Sequence, residues 1–304
     1  MGGRLLAIGE CMVELAQAGE GLMRRGYAGD TFNTAWYARI LLPEDWAVDY
    51  YTTVGDDTVS DDMLSFMEDA GIGTVWIRRI KGRTPGLYMI HLKDGERSFS
   101  YWRDTSAARL LASDGDHLRH AIETSDVIYF SGITLAILSE QDAATLLSEL
   151  RRAKAAGKVV AFDPNIRPRL WADRRAMLST IRDGARAATI VMPSFDDEAA
   201  HFGDGSVSDT IARYHSLGAP NVIVKNGAEG ATVSFSDASV HVPATTVEQV
   251  VDTTSAGDSF NGAFLARYLE EGNARDAAAY AARIAARVIG EHGALVGADK
   301  LADA

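Results

Sequence analysis

The chain reads as an α/β protein: a doubly wound, mostly parallel sheet flanked by helices, with a small β-sheet lid. Short apolar runs of strand length alternate with helix-period segments along most of the 304 residues, which is the rhythm of βαβ units. One stretch breaks that rhythm. Two strand-like runs, 87–92 and 97–102, surround Lys93-Asp94-Gly95-Glu96. An Asp-Gly pair between such runs signals a hairpin, which a βαβ crossover cannot contain.

Residues 5–8 predict the first strand. A helix starts near Asp30 or Thr31 and continues through 35–41. Residues 48–53 predict a strand, and 60–70 a helix closed by Gly71. The polar, glycine-rich stretch 16–29 joins the hairpin, so the lid comprises approximately 15–30 and 84–103. Strands at 127–130 and 159–162 flank a helix at 139–156. Ser139, with Asp142 three residues on, is a capping-box-like start, and Gly157 is a stop. Residues 190–192 and 222–224 are further short strands. The alanine-rich end, 257–291, is helical with a break near Gly272-Asn273. No repeat, low-complexity tract or linker interrupts 1–304, so a single domain is expected.

Asp plus Glu number 42 against 30 Lys plus Arg, giving a net charge of −12. Such a chain lacks the basic footprint for nucleic acid or an anionic membrane. Nor does any apolar run approach the roughly 18 residues of a spanning helix. Met1-Gly2-Gly3-Arg4 leads straight into a strand, without a signal-peptide pattern. Cys11 is the only cysteine, which fits a reducing cytoplasm. The global field repels anions, so an anionic ligand needs local arginines.

Several chemistries are absent by motif. There is no G-x-x-x-x-G-K-[ST], no G-x-G-x-x-G after the first strand, no G-x-S-x-G and no H-E-x-x-H. His117 and His120 share a helix face but lack accompanying metal ligands.

Five segments remain. Asp252-Thr253-Thr254-Ser255-Ala256-Gly257-Asp258-Ser259-Phe260 follows Val250-Val251 and opens a helix. Small residues there let a backbone approach a ligand, and the helix start supplies unpaired N–H groups for an anion. Read alone, Asp258 is equally a helix cap. Gly29-Asp30-Thr31-Phe32-Asn33 puts a carboxylate and an amide at a helix start, suited to sugar hydroxyls or to capping. Tyr101-Trp102-Arg103 ends the hairpin, with Tyr101 and Arg103 on one face and Tyr88 on the partner strand. An aromatic and a guanidinium together suit a sugar acid. Asp163-Pro164-Asn165-Ile166-Arg167 lies just past a strand, where doubly wound sheets bind ligands. Lys225-Asn226-Gly227-Ala228-Glu229-Gly230 follows another, and alone is no more than a turn.

Together these residues resemble the ribokinase-like (PfkB) sugar kinases. The segment 252–260 looks like that family's signature, Gly29-Asp30 with Asn33 like its sugar-binding motif, and Lys225-x-Gly227-x-x-Gly230 like its nucleotide loop. The match is collinear from about 5 to 295. Within the family, Gly9-Glu10-Cys11-Met12-Val13-Glu14, Pro85-Gly86-Leu87-Tyr88, Tyr101-Trp102-Arg103 and Arg167-Pro168-Arg169-Leu170-Trp171 resemble the members acting on a keto-deoxy sugar acid. The resemblance implies a phosphotransferase with an alcohol acceptor, moving phosphate from ATP to the 6-hydroxyl of 2-keto-3-deoxygluconate. It implies Asp258 as base, with the backbone of Ser255, Ala256 and Gly257 as the anion hole. Gly29, Asp30, Thr31, Asn33, Tyr88, Tyr101, Trp102, Arg103 and Arg167 would bind the sugar acid. Asn165, Arg167, Lys225, Gly227 and Gly230 would join the anion hole around ATP. Mg²⁺ would be held through water by Asp163 with Asp197 or Glu198, and the resemblance leaves room for a monovalent cation. A homodimer through the lid is also implied. The alternatives are a ketose (fructose-type) or other keto-deoxy acid kinase of the same fold, and a non-catalytic sugar sensor. Two departures stand out. Position 255 is Ser where many relatives have Gly, which strains a backbone with positive φ. Ser194-Phe195-Asp196-Asp197-Glu198 also stands where the family has Asn-x-x-Glu.

Overall fold

The computed structural model describes residues 2–93, 96–235 and 238–301. Eight strands form the main sheet, in the order Ala238–Val242, Ala231–Phe235, Asn221–Lys225, Ile190–Val191, Val159–Asp163, Val127–Ser131, Arg4–Ile8, Ala47–Tyr51. Six of them run parallel, from Asn221–Lys225 to Ala47–Tyr51. The other two extend the sheet as antiparallel neighbours.

The parallel strands are mostly apolar because both faces are covered. Alternate residues divide between two cores. Leu5, Ala7, Tyr129 and Ala161 pack with Phe32, Phe264 and Ala281, under helices Asp30–Leu41, Ala256–Glu271 and Ala274–Val288. Leu6, Ile8, Phe130 and Phe162 pack with Leu118, Leu146 and Ile181, under helices Gly115–Glu123, Glu140–Ala155 and Arg174–Ala187. Ser139 caps the helix it was expected to start, accepting from the Asp142 amide at 3.1 Å.

A four-stranded sheet stands apart, in the order Met23–Ala28, Met12–Gln17, Gly86–Lys93, Glu96–Trp102. Its central pair is parallel and each outer pair is an antiparallel hairpin. The expected turn residues Asp94 and Gly95 lie outside the described residues, but the strands they join pair in register, Tyr88 opposite Tyr101. Glycine-rich 16–29 is more regular than its composition suggests, since most of it belongs to the Met12–Gln17/Met23–Ala28 hairpin. The run 48–53 is not one strand: Ala47–Tyr51 belongs to the main sheet, while Thr53–Val54 pairs with Arg78–Arg79. The C-terminal helical region ends at Val288, short of 291. No described helix is long and apolar enough to cross a membrane.

Candidate active site

The carboxyl ends of the parallel strands open into a cleft of about 1640 Å³, walled on one side by the small sheet. Helix Ala256–Glu271 points its N-terminus into this cleft. Ser255 begins it at φ 65°, in the left-handed region, and Ser255 and Asn165 are the non-glycine residues with positive φ among those described. The strain anticipated for a serine at this position is therefore present. Amides at a helix start lack intrahelical acceptors, and the helix dipole adds positive potential there.

Asp258 lies in the first turn. Its Oδ2 accepts from Asn33 Nδ2 at 2.8 Å, and its backbone carbonyl accepts from Thr34 Oγ1 at 3.3 Å. Asn33 and Thr34 belong to helix Asp30–Leu41, so two helices meet at the carboxylate. Gly262 permits the crossing: a Cβ there would sit 2.7 Å from the Thr34 carbonyl. Burial, and then the nearby Asp30 carboxylate, push Asp258 up to about 7, while Asn33 opposes the rise. A carboxylate so tuned is half-ionised near neutral pH and suited to accept a proton.

Asp30 is itself raised by burial, and accepts from Asn165 Nδ2 at 2.9 Å. Asp163 closes the floor. Its Oδ2 accepts from Lys225 Nζ at 2.8 Å and Asn261 Nδ2 at 2.6 Å. Thus Asp30, Asn33, Asp163, Asn165, Lys225 and Asp258, drawn from four separate segments, form one connected floor. Gly227 and Gly230 border the cleft beyond Lys225. Tyr88, Tyr101, Arg103 and Arg167 line it as well. The rings of Tyr88 and Tyr101 lie 6.0 Å apart.

Three expected site residues lie elsewhere. Thr31 is fully buried and hydrogen-bonds the Tyr50 hydroxyl at 2.9 Å, because its position on the helix faces the core. Trp102 alternates to the other face of the small sheet, opposite Leu87 in register, and lines a separate hollow of about 380 Å³. Glu198 is fully buried away from the cleft, accepting from Arg213 Nη2 at 2.6 Å and Tyr214 Oη at 2.9 Å. Of the two acidic candidates for a metal, Asp197 lines the cleft, 3.6 Å from Arg167 Nη1. Burial raises Asp197, and Arg167 counters that.

Glu10 and Asn261 join the site without having been singled out for it. Glu10 follows the first strand at its carboxyl end, which was the available signal. Asn261 sits one turn beyond Asp258, a spacing that puts both on one helix face. Ala282, Ala285, Ala286 and Ile289 line the far end of the cleft, though an alanine-rich helix reads as core packing.

Among the described residues no three carboxylate, histidine or cysteine side chains gather as a metal cage. The donor set does fit a cation such as Mg²⁺, which keeps several waters and takes one or two carboxylates alongside phosphate. The helix start and Lys225 fit a polyphosphate.

Residues 3–301 match the pfkB family of carbohydrate kinases, and the chain belongs to that family. It is 40% identical to the 2-dehydro-3-deoxygluconokinase of Dickeya dadantii (strain 3937), over 95% of both chains. It is also 40% identical to the 2-dehydro-3-deoxygluconokinase of Escherichia coli (strain K12), over 97% of this chain and 98% of that one. The fold matches the solved PfkB protein of Polaromonas sp. JS666 with a TM-score of 0.85 at 26% identity, over 99% and 100% of the two chains. A fructokinase of Xylella fastidiosa solved with bound ATP matches with a TM-score of 0.83 at 25% identity, over 96% and 94%.

Proposed function

We propose that this protein transfers the terminal phosphoryl group of ATP to the 6-hydroxyl of 2-dehydro-3-deoxygluconate (2-keto-3-deoxygluconate). The observation that carries the proposal is one cleft holding both Asp258 at a helix N-terminus and the guanidinium groups of Arg103 and Arg167. The first pairing suits a hydroxyl acceptor and the second a carboxylate. Near-full-length identity of 40% to kinases of this acid supports the same substrate.

Phosphoryl transfer needs positioning and charge stabilisation more than covalent help. Asp258 takes the proton of the attacking hydroxyl, and Asn33 holds that carboxylate in place. The first-turn amides from Ser255 to Asp258 stabilise charge on the transferring group. Gly29, Asp30 and Asn33 contact the sugar hydroxyls, Tyr88 and Tyr101 its carbon face, and Arg103 and Arg167 its carboxylate. Lys225, Gly227, Gly230 and Asn165 would border the nucleotide phosphates, and Asp163 and Asp197 would hold their counter-ion Mg²⁺ through water. When bound, ATP supplies the phosphoryl group and Mg²⁺ offsets phosphate charge.

The small sheet acts as the lid that excludes competing water. Its exposed Leu22 and Trp102 suit pairing with a second copy, and a cytoplasmic homodimer is the form proposed.

ADP release would be measured with Mg-ATP and equal concentrations of 2-dehydro-3-deoxygluconate, its galactonate epimer, gluconate, fructose and ribose. Preference for the first is expected. Preference for fructose would retain the kinase and remove the acid reading.

A further inference from the structure

Arg103, assigned above to the substrate carboxylate, is not free in the cleft. Its Nη2 donates to Oε2 of Glu10. Side-chain exposure is 8% for the arginine and 1% for the glutamate, so the pair is out of water. Ser106 Oγ donates to the other carboxylate oxygen, Oε1, so both oxygens of Glu10 are engaged. Gly86 leaves room for this carboxylate, since a Cβ there would lie 2.7 Å from Glu10 Oε1. Arg103 Nε is buried and has no hydrogen-bond partner among the described residues. Glu10 and Arg103 both border the cleft.

The pair also joins two bodies of the fold. Glu10 follows strand Arg4–Ile8 of the main sheet, and Arg103 follows strand Glu96–Trp102 of the small one. A buried ion pair is seldom favoured on stability alone, because desolvation offsets its attraction. What it does supply is orientation. A guanidinium is a planar fork whose value for a carboxylate depends on the direction its donors face. With Nη2 committed to Glu10, the plane is fixed and the part of the guanidinium that borders the cleft is left for a ligand.

We infer that Glu10 is a positioning residue for substrate selection: it fixes the Arg103 guanidinium so that its remaining donors meet the carboxylate of the sugar acid. The inference rests on the sugar-acid reading above. Glu10 need not touch the substrate, and a neutral sugar gains nothing from the arrangement.

The test is steady-state kinetics on Glu10→Ala, Glu10→Gln, Ser106→Ala, Arg103→Ala and the Glu10→Ala/Arg103→Ala pair. Glu10→Ala should raise KM for the acid about 10- to 100-fold, the range of one charge-assisted hydrogen bond. KM for ATP should be unchanged and kcat should stay within about threefold. Glu10→Gln keeps an acceptor and should be intermediate. The double variant should be no worse than Arg103→Ala alone, because Glu10 acts through Arg103. Ser106→Ala is the milder perturbation if Glu10→Ala fails to fold, and should raise KM for the acid a few-fold, roughly one neutral hydrogen bond. Equal losses for acid and ATP, or additive effects in the double variant, would overturn the inference. A wild-type enzyme that prefers fructose would overturn the sugar-acid reading and this inference with it, and that outcome shows before any variant is made.

Discussion

Asn33 and Asp258, 225 residues apart in the chain, share a 2.8 Å hydrogen bond in which the Asn33 amide donates to the Asp258 carboxylate. The bond favours the ionised carboxylate, while burial and the Asp30 charge favour the protonated one, and the balance lies at about 7. A base must be deprotonated to accept a proton, so kcat/KM should rise through pH 7 and level off above it. Asn33→Ala removes the opposing contribution. The acidic limb should then move to higher pH by about one unit, the equivalent of one charge-assisted hydrogen bond of about 1.5 kcal/mol. A pH–rate profile of the two proteins checks this, and a limb that stays put would mean that another group governs it.

Asp258→Asn should cost turnover by roughly 10²- to 10⁴-fold, the range for a general base. The same substitution should stabilise the fold at alkaline pH. Asp258 holds its proton more tightly when folded, at about 7, than at its ordinary 3.8. Its contribution to stability is therefore complete below about pH 4 and is lost as pH rises through 7. Asparagine never ionises, so between pH 4 and pH 8 the variant should gain on wild type by on the order of 4 kcal/mol. Urea denaturation at pH 5 and pH 8 measures the difference, which should be larger at the higher pH.

Ser255 was open to prediction as a point of strain, and its φ of 65° bears that out. Ser255→Gly should relieve a left-handed conformation that costs an L-residue about 1–2 kcal/mol, less the entropy of the added glycine. The net expectation is a gain of up to about 1 kcal/mol with turnover retained. Ser255→Val, β-branched at positive φ, should lose about 1–3 kcal/mol. Thermal melting of both variants orders them, and a Ser255→Gly protein that melts below wild type would mean the serine side chain contributes more than its strain costs.

Much of this architecture was legible because its signals are local. The parallel strands are short apolar runs, Ser139 is a cap, and the Leu87–Trp102 pairing follows from two alternating runs around Asp-Gly. The site was legible in part, since Asp30, Asn33, Asp163, Lys225 and Asp258 fall where strands end or helices begin. What escaped depends on which way a side chain faces. Thr31 and Asn33 are two residues apart on one helix, and one faces Tyr50 while the other faces Asp258. Glu10 becomes a site residue only when Arg103 is brought to it across 93 residues of chain. Helices Arg174–Ala187 and Val207–Ser216 were not predicted, although each carries a clear apolar stripe.

Asp197 and Glu198 are adjacent in sequence, and the helix turns one toward the cleft and the other into the core. Glu198 lies between Arg213 and Tyr214, fully buried, while the Arg213 side chain is 18% exposed and also meets Asp204 at 2.6 Å. Removing one partner of a buried pair leaves an uncompensated charge, which typically costs about 3–5 kcal/mol. Asp204 shares Arg213, so Glu198→Ala should fall at the lower end, about 3 kcal/mol, with the Mg²⁺ dependence of the surviving folded enzyme unchanged. Asp197→Asn should do the reverse. Its carboxylate is in the cleft and pairs only loosely with Arg167, at 3.6 Å, so stability should move by less than about 1 kcal/mol. The Mg²⁺ concentration for half-maximal activity should rise by roughly 10-fold, within the range for losing an outer-shell partner of a metal. Magnesium titrations of both variants, set beside their melting curves, separate the two roles. A Glu198→Ala enzyme that folds normally but needs more Mg²⁺ would assign the metal to the core glutamate instead.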